Sequence, residues 1–346
     1  MSKMDRKNEE HLRMLLMSRY ADNERGWRET QNKIDKTKRA KIVRWRVAAS
    51  SVAAVAILFL FIFIPRNSTL DSISVVSADP GRNQAMLIMS DGSKVTLTDS
   101  SDIKITDVAG AKISVIAGKS INYESESIKA KNIRPATNTI IVPRAGTYSV
   151  TLSDGTKVWI NSESELSYPV SFSCAKREVT LKGEAYFQVA HDREKPFVVN
   201  CNGNSVKVTG TEFNVEFYEE GRMVTTLING GVTLFSSTGS AALKPGMQGV
   251  VSHNEITTFN VNPQLFTSWK DGLFEFDNLT LGEIVKRLSR WYDVEFTFND
   301  KNLANNTFTA TFPKDENLSF IVELIEKISS ARFAFVEGKV VVSTKK

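Results

Sequence analysis

The 346-residue chain has 41% hydrophobic and 24% charged residues, a formal net charge of +5 and an isoelectric point of about 9.0. That is material for one large core or two modest ones, and it excludes long disorder. Counted by region, residues 1–46 hold fourteen Lys/Arg against seven Asp/Glu, while the remainder holds thirty against thirty-two. The basic excess therefore belongs to an N-terminal tail. It reads as a topology signal and an attraction to anionic lipid, and no direct nucleic-acid contact is expected.

Within the tail, residues 9–20 predict a short amphipathic helix with Leu12, Leu15 and Leu16 on one face, widened by Met14 and Met17. A second helix is predicted from about Asn23, with Trp27, Ile34 and Ile42 loosely in phase. So few large apolar groups cannot build a self-standing core. The tail is expected to fold onto a partner, offering Leu12, Leu15, Leu16, Trp27 and Ile34 to a groove, and a solvated stalk is the plainer alternative.

Residues 47–64 follow without a charge, a Gly or a Pro. As a helix they span roughly 27 Å, close to the hydrocarbon thickness of a bilayer. A buried soluble helix is the alternative, but the last eight residues of the run are solidly apolar and leave no polar stripe. A cleaved secretory signal is a poor fit, because the preceding region is long and no small-x-small cleavage pattern follows Phe63 and Ile64. Lys36, Lys38, Arg39, Lys41, Arg44 and Arg46 crowd the N-terminal flank, whereas Arg66 stands alone beyond the other end. The positive-inside rule places residues 1–46 in the cytoplasm and exports everything after Pro65.

From residue 67 to 262 the pattern becomes short alternating runs broken by Gly, Asp and Asn, which predicts an all-β region. An internal near-repeat supports stacked β-layers, since residues 87–100 match 150–163 at an offset of sixty-three, each copy carrying an Asp-Gly turn at Asp91-Gly92 or Asp154-Gly155. Glu184 to Val189 alternates with Ala185, Phe187 and Val189 toward the core. Residues 261–270 read as a linker.

A second domain, residues 271–346, begins with a strand at Leu273–Phe276. Thr280-Leu-Gly-Glu283 is a capping box ahead of a helix carrying Leu281, Ile284, Val285, Leu288 and Trp291. Two strands follow, then a helix carrying Leu318, Ile321, Val322, Ile325 and Ile328, then a hairpin turning at Glu337-Gly338. This is a small α+β domain of βαββαβ type, so the whole chain is mainly β with one transmembrane helix and a small α+β domain.

Little in this sequence is arranged for chemistry. His11, His191 and His253 are scattered, no metal-ligand spacing appears, and no phosphate-cradling loop is present, so neither a metal nor a cofactor is expected and the chain is not predicted to be an enzyme. Cys174 and Cys201 are exported together and are a possible disulfide, with two unrelated thiols as the alternative. In Val208-Thr-Gly-Thr-Glu-Phe-Asn-Val215 the hydroxyl of Thr211 sits beside the carbonyl of Gly210. In a strained turn it could attack that carbonyl and lead to self-cleavage, whereas the plain reading is a β-turn.

Val150-Thr-Leu-Ser-Asp-Gly-Thr-Lys-Val-Trp-Ile-Asn-Ser162, Arg177-Glu-Val-Thr-Leu-Lys-Gly-Glu-Ala-Tyr-Phe-Gln-Val189 and the motif around Gly210-Thr211 resemble the FecR domain. Leu243-Lys-Pro-Gly-Met-Gln248, Trp269-Lys-Asp-Gly-Leu-Phe-Glu-Phe276 and Leu288-Ser-Arg-Trp-Tyr-Asp-Val294 extend the resemblance to the C-terminal end, with the best-matching part of the β-region at residues 145–260. The chain thus resembles a FecR-type transmembrane anti-sigma factor. The resemblance implies a β-solenoid or sandwich-like periplasmic domain, a last domain similar to the secretin and TonB N-terminal short domain, and an inner-membrane protein with its N-terminus in the cytoplasm.

By the same resemblance, the tail holds an extracytoplasmic-function sigma factor until the signalling domain of a TonB-dependent outer-membrane receptor engages the periplasmic part. Some relatives cleave themselves at the matching Gly-Thr. A second reading is an anchored periplasmic glycan-binding module with Trp159, Tyr168, Trp291 and Tyr292 as stacking platforms, three of which sit where core residues are expected.

Overall fold

The computed structural model describes residues 77–99, 103–106, 112–116, 120–124, 136–172 and 175–345. The expected tail helices with Leu12, Leu15, Leu16, Trp27 and Ile34, the apolar run 47–64 and Cys174 lie outside the described residues. Among the described residues, no helix is long and apolar enough to cross a membrane.

The β-region begins with β1 (Arg82–Ile88), β2 (Lys94–Thr98), β3 (Ile103–Thr106), β4 (Lys112–Ile116), β5 (Ser120–Glu124), β6 (Thr137–Val142), β7 (Gly146–Thr151), β8 (Lys157–Ile160) and β9 (Ser164–Pro169). It continues with β10 (Arg177–Gln188), β11 (Phe197–Cys201), β12 (Asn204–Val208), β13 (Glu212–Phe217), β14 (Arg222–Asn229), β15 (Val232–Phe235), β16 (Ser240–Leu243), β17 (Met247–Ser252) and β18 (Glu255–Asn260). Two sheets result. One runs β2-β1-β6-β9-β10-β11-β12-β15-β16, and the other β3-β4-β5-β7-β8-β10-β13-β14-β17-β18.

The strand β10 serves both. Its first half pairs with β9 and β11, and its second half, from Gly183 on, pairs with β8 and β13. The crossover turns on Gly183, whose φ is +95° and where a Cβ would lie 2.6 Å from the Cα of Ser164. Period-two alternation alone divides this stretch into two strands, whereas the structure bends one strand. The sheets face each other over a single core, in which Phe187 stacks on Phe213 of its own sheet at 5.1 Å and reaches Phe197 of the opposite sheet at 6.1 Å.

The chain winds by hairpins that alternate between the sheets, with β11–β12 and β15–β16 in one and β13–β14 and β17–β18 in the other. The result is a sandwich with a solenoid-like path. The near-repeat survives at its turns: Gly92 and Gly155 have φ of +83° and +84°, their amides donate to Met89 and Leu152 O at 2.8 and 2.9 Å, and Ser93 and Thr156 hydroxyls donate to Asp91 and Asp154 at 2.6 and 2.7 Å. Its two copies lie in opposite sheets.

The expected linker is in fact two short 3-10 turns, Pro263–Phe266 and Ser268–Asp271, with Ser268 buried. Then come β19 (Leu273–Thr280), α1 (Leu281–Tyr292), β20 (Glu295–Phe298), β21 (Thr307–Pro313), α2 (Leu318–Ile328), β22 (Ala331–Val336) and β23 (Lys339–Thr344). Strand β19 pairs with β21, and β20, β23 and β22 form a separate sheet in that order.

Helix α1 opens with the expected capping box, Thr280 Oγ1 accepting from the Glu283 amide at 3.3 Å and Glu283 accepting from the Thr280 amide at 3.2 Å. Its buried face is Leu281, Ile284, Val285, Leu288, Trp291 and Tyr292. Helix α2 buries Leu318, Ile321, Val322 and Ile325, but Ile328, expected on the same face, is exposed at the helix end.

Candidate functional site

The alternation of β10 should leave Glu184 and Tyr186 on a wet outer face, yet they are only 9% and 5% exposed. The 3-10 turns and the α+β domain cover that face, and the two domains belong to one compact unit. Glu184 is held by amides from two neighbouring strands. Its carboxylate accepts from Asn161 Nδ2 at 2.8 Å and from Asn214 Nδ2 at 2.9 Å, and Trp269 from the second 3-10 turn donates to Asn214 Oδ1 at 3.3 Å.

Opposite lies Lys314, just past β21 and 4% exposed. Its ammonium sits among three rings, 3.8 Å from the Trp291 centroid, 5.6 Å from Phe274 and 5.7 Å from Trp269. Trp291 is itself fixed by its indole N–H donating to Lys314 O at 2.7 Å. Burial pushes Lys314 down to about pKa 7, and the Glu184 charge opposes that shift. A cavity of about 30 Å³ lies between them, bordered by Asn161, Ser162, Glu184, Trp269 and Lys314.

The rest of the seam is cationic on the α1 side. Arg290 lies 3.9 Å over the Tyr218 ring, whose hydroxyl donates to Ser162 O at 2.8 Å. Lys286 pairs with Glu219 at 2.7 Å. Glu216 is pushed above the usual carboxylate range by burial first and by Glu184 second, with Arg287, Arg290 and Arg222 pulling it back. Arg144, from the β6–β7 turn, donates to Ser289 O and Ser289 Oγ at 2.7 Å and to Val294 O at 3.1 Å, and pairs with Asp293 at 2.8 Å. The arrangement is a joint: aromatic, charged and hydrogen-bonded contacts tie one domain to the other. Trp269 and Trp291 were visible in the sequence as motif and helix residues, but Glu184, Lys314, Arg144 and Arg290 were not tied to a joint, although a glutamate inside the apolar run Gly183-Glu-Ala-Tyr-Phe187 is a signal for a covered outer face.

Gly210-Thr211 lies elsewhere, at the entry to β13. The Thr211 amide oxygen accepts from Val189 N at 3.0 Å and Thr209 O accepts from Asp192 N at 2.7 Å, so the bond is bracketed by the 189–192 segment. Thr211 is buried, and its hydroxyl donates to Gly231 O at 2.9 Å. Gly230, with φ +94°, packs so closely that a Cβ there would lie 2.9 Å from both Gly210 O and Thr211 Oγ1.

Cys201 is a buried free thiol, pushed up to about pKa 12 by burial. Of the four aromatic residues considered as stacking platforms, Tyr168, Trp291 and Tyr292 are buried and Trp159 packs edge-on against Tyr186 at 5.6 Å. Among the described residues, no group of three His, Cys, Asp or Glu is placed to hold a metal ion.

Fold and joint together define a large β-sandwich with an α+β domain docked on the outside of one sheet. Residues 138–233 match the model of the FecR protein family and residues 273–343 that of the FecR C-terminal domain. The chain therefore carries a FecR domain followed in order by a FecR C-terminal domain. A crystal structure of a candidate anti-sigma factor from Parabacteroides distasonis ATCC 8503 is similar at 27% identity and a TM-score of 0.56, over 60% of this chain and 99% of that one. A second crystal structure under the same description gives 28% identity and a TM-score of 0.56, over 61% and 100%. No curated protein matches the chain.

Proposed function

We propose that this protein is a regulatory, non-enzymatic anti-sigma factor of the inner membrane. Residues 1–46 hold an extracytoplasmic-function sigma factor in the cytoplasm, residues 47–64 anchor the chain, and the part beyond them receives its signal in the periplasm from the signalling domain of a TonB-dependent outer-membrane receptor. The observation that carries this reading is the FecR domain followed in order by the FecR C-terminal domain, in a chain whose solved neighbours are described as candidate anti-sigma factors. The run 47–64 with its basic N-terminal flank supports the orientation. The joint supports a receiver in which a load on one domain reaches the other through Arg144, Arg290 and Lys314. Purification of the full chain in mild detergent tests it: a sigma factor should co-purify, and recovery of bound glycan without a sigma factor would favour the binding-module reading instead.

Within this reading, Gly210–Thr211 is the bond at which the exported part cleaves itself. The Thr211 Oγ1 forms a bond to the Gly210 carbonyl carbon, the bond from that carbon to the Thr211 nitrogen breaks, and the hydroxyl proton ends on the freed amine. Water then hydrolyses the ester to a Gly210 carboxylate and a Thr211 hydroxyl. The close packing of Gly230 and Gly231 around the hydroxyl supports it.

A further inference from the structure

The hydroxyl of Thr211 points at Gly231 O, which cannot accept a proton at neutral pH, so the acyl shift needs another group to take the proton from oxygen and return it to nitrogen. The side chain packed against Gly210, the residue that supplies the carbonyl of this bond, is an imidazole. All three atoms nearest to a Cβ built on Gly210 belong to His191, with Nδ1 in direct contact, Cα at 2.8 Å and Cγ at 2.9 Å, which is a reason for glycine at that position.

His191 is exposed, yet the backbone on both sides of it is clamped from within. Arg177, 2% exposed, donates through Nη1 to Ala190 O at 2.8 Å, through Nη2 to Asp192 O at 3.5 Å and through Nε to Lys195 O at 2.8 Å. Asp154 balances its charge at 2.7 Å, and Thr156 Oγ1 accepts from the Ala190 amide at 3.2 Å. A buried ion pair is costly to desolvate and is retained where it fixes a geometry. Here it holds the backbone on both sides of His191, whose ring lies against Gly210.

We propose that His191 is the proton-transfer residue of cleavage at Gly210–Thr211, and that Arg177 and Asp154 are its positioning residues. This rests on the self-cleavage reading. Neutral imidazole accepts the Oγ1 proton as the C–O bond forms, and the resulting imidazolium donates it to the departing Thr211 nitrogen. The charged residues beside it in the chain are Asp192 and Arg193, the Arg177–Asp154 pair holds the loop, and Glu212 follows Thr211.

The test is pulse-chase of the full-length chain, made in a cell-free system with membranes, from pH 5.5 to 8.5. The wild type should yield a fragment starting at Thr211, more slowly at the acidic end of that range than at the alkaline end. His191→Ala should be at least tenfold slower with that pH limb gone, and added imidazole should restore much of the rate. Hydroxylamine should speed fragment release from the wild type by trapping the ester. A His191→Ala chain that cleaves at the wild-type rate with an unchanged profile would overturn the role of His191 and leave self-cleavage standing. A wild-type chain that stays intact, or a Thr211→Ala chain that yields the same fragment, would overturn both.

Discussion

Arg177 and Asp154 form a 2.7 Å ion pair inside the sandwich, with side chains 2% and 12% exposed. It joins the start of β10, paired in one sheet, to the Asp-Gly turn between β7 and β8 of the other, and the Arg177 guanidinium also lies 5.5 Å over the Phe197 ring. Removing one partner leaves an uncompensated buried charge, which costs about 3–5 kcal/mol. Asp154→Ala should therefore lower stability by about that much in urea unfolding followed by tryptophan fluorescence. Asp154→Ala combined with Arg177→Met should lose less than the two single changes added together.

Lys314 makes stability depend on alkaline pH. Its folded pKa of about 7 lies below the ordinary value of 10.5, so between those limits the unfolded chain binds the proton and the folded chain does not. Stability rises with pH wherever the unfolded state binds more protons, so the lysine is most destabilising below about pH 7 and least above about pH 10. Lys314→Met should be more stable than wild type at pH 7, and the difference should shrink steadily toward pH 10. A constant difference across that range would show that the ammonium is not desolvated.

At the joint, Arg144→Ala removes three hydrogen bonds to the end of α1 and the ion pair with Asp293. The pair is partly exposed and contributes little by itself, so the expected cost of about 1–2 kcal/mol comes from the hydrogen bonds to partly buried acceptors. Hydrogen exchange should locate it. The amides of Ala145 and Val294, which donate to Arg290 O and Ser289 O, should exchange faster while those of β13 and β14 do not change.

Two glycines with similar backbone angles should differ sharply on substitution. Gly155 at φ +84° has open space where a Cβ would go, so Gly155→Ala meets only left-handed strain of about 1–2 kcal/mol. Gly183 at φ +95° would press a Cβ into Ser164, whose hydroxyl accepts from the Glu184 amide at 2.9 Å. Gly183→Ala should cost at least about 2 kcal/mol more, measured as the difference in urea unfolding midpoints.

Alternation and turn residues made the β-region, the Asp-Gly turns, the capping box and both C-terminal helices legible, because each is a local choice of the chain. Strands such as β9 and β18 were not, since Ser164–Pro169 and Glu255–Asn260 carry few apolar residues and are held in place by pairing with β6 and β17. The joint was hidden for the same reason. Lys314 and Glu184 are far apart in sequence, and a lone charge in an apolar run looks like a solvated strand face until another domain covers it. Gly210-Thr211 was visible as a dipeptide, but His191 was not tied to it, because that contact depends on Arg177 reaching under the loop.

The proposed restraint of a sigma factor by residues 1–46 is read out by a promoter reporter. In cells carrying the full chain, replacing Leu12, Leu15 and Trp27 with Glu should free the sigma factor and raise its promoters at least tenfold without any receptor signal. Reporter output that stays at the repressed level, with the altered chain still present in the membrane, would rule out that role for the tail.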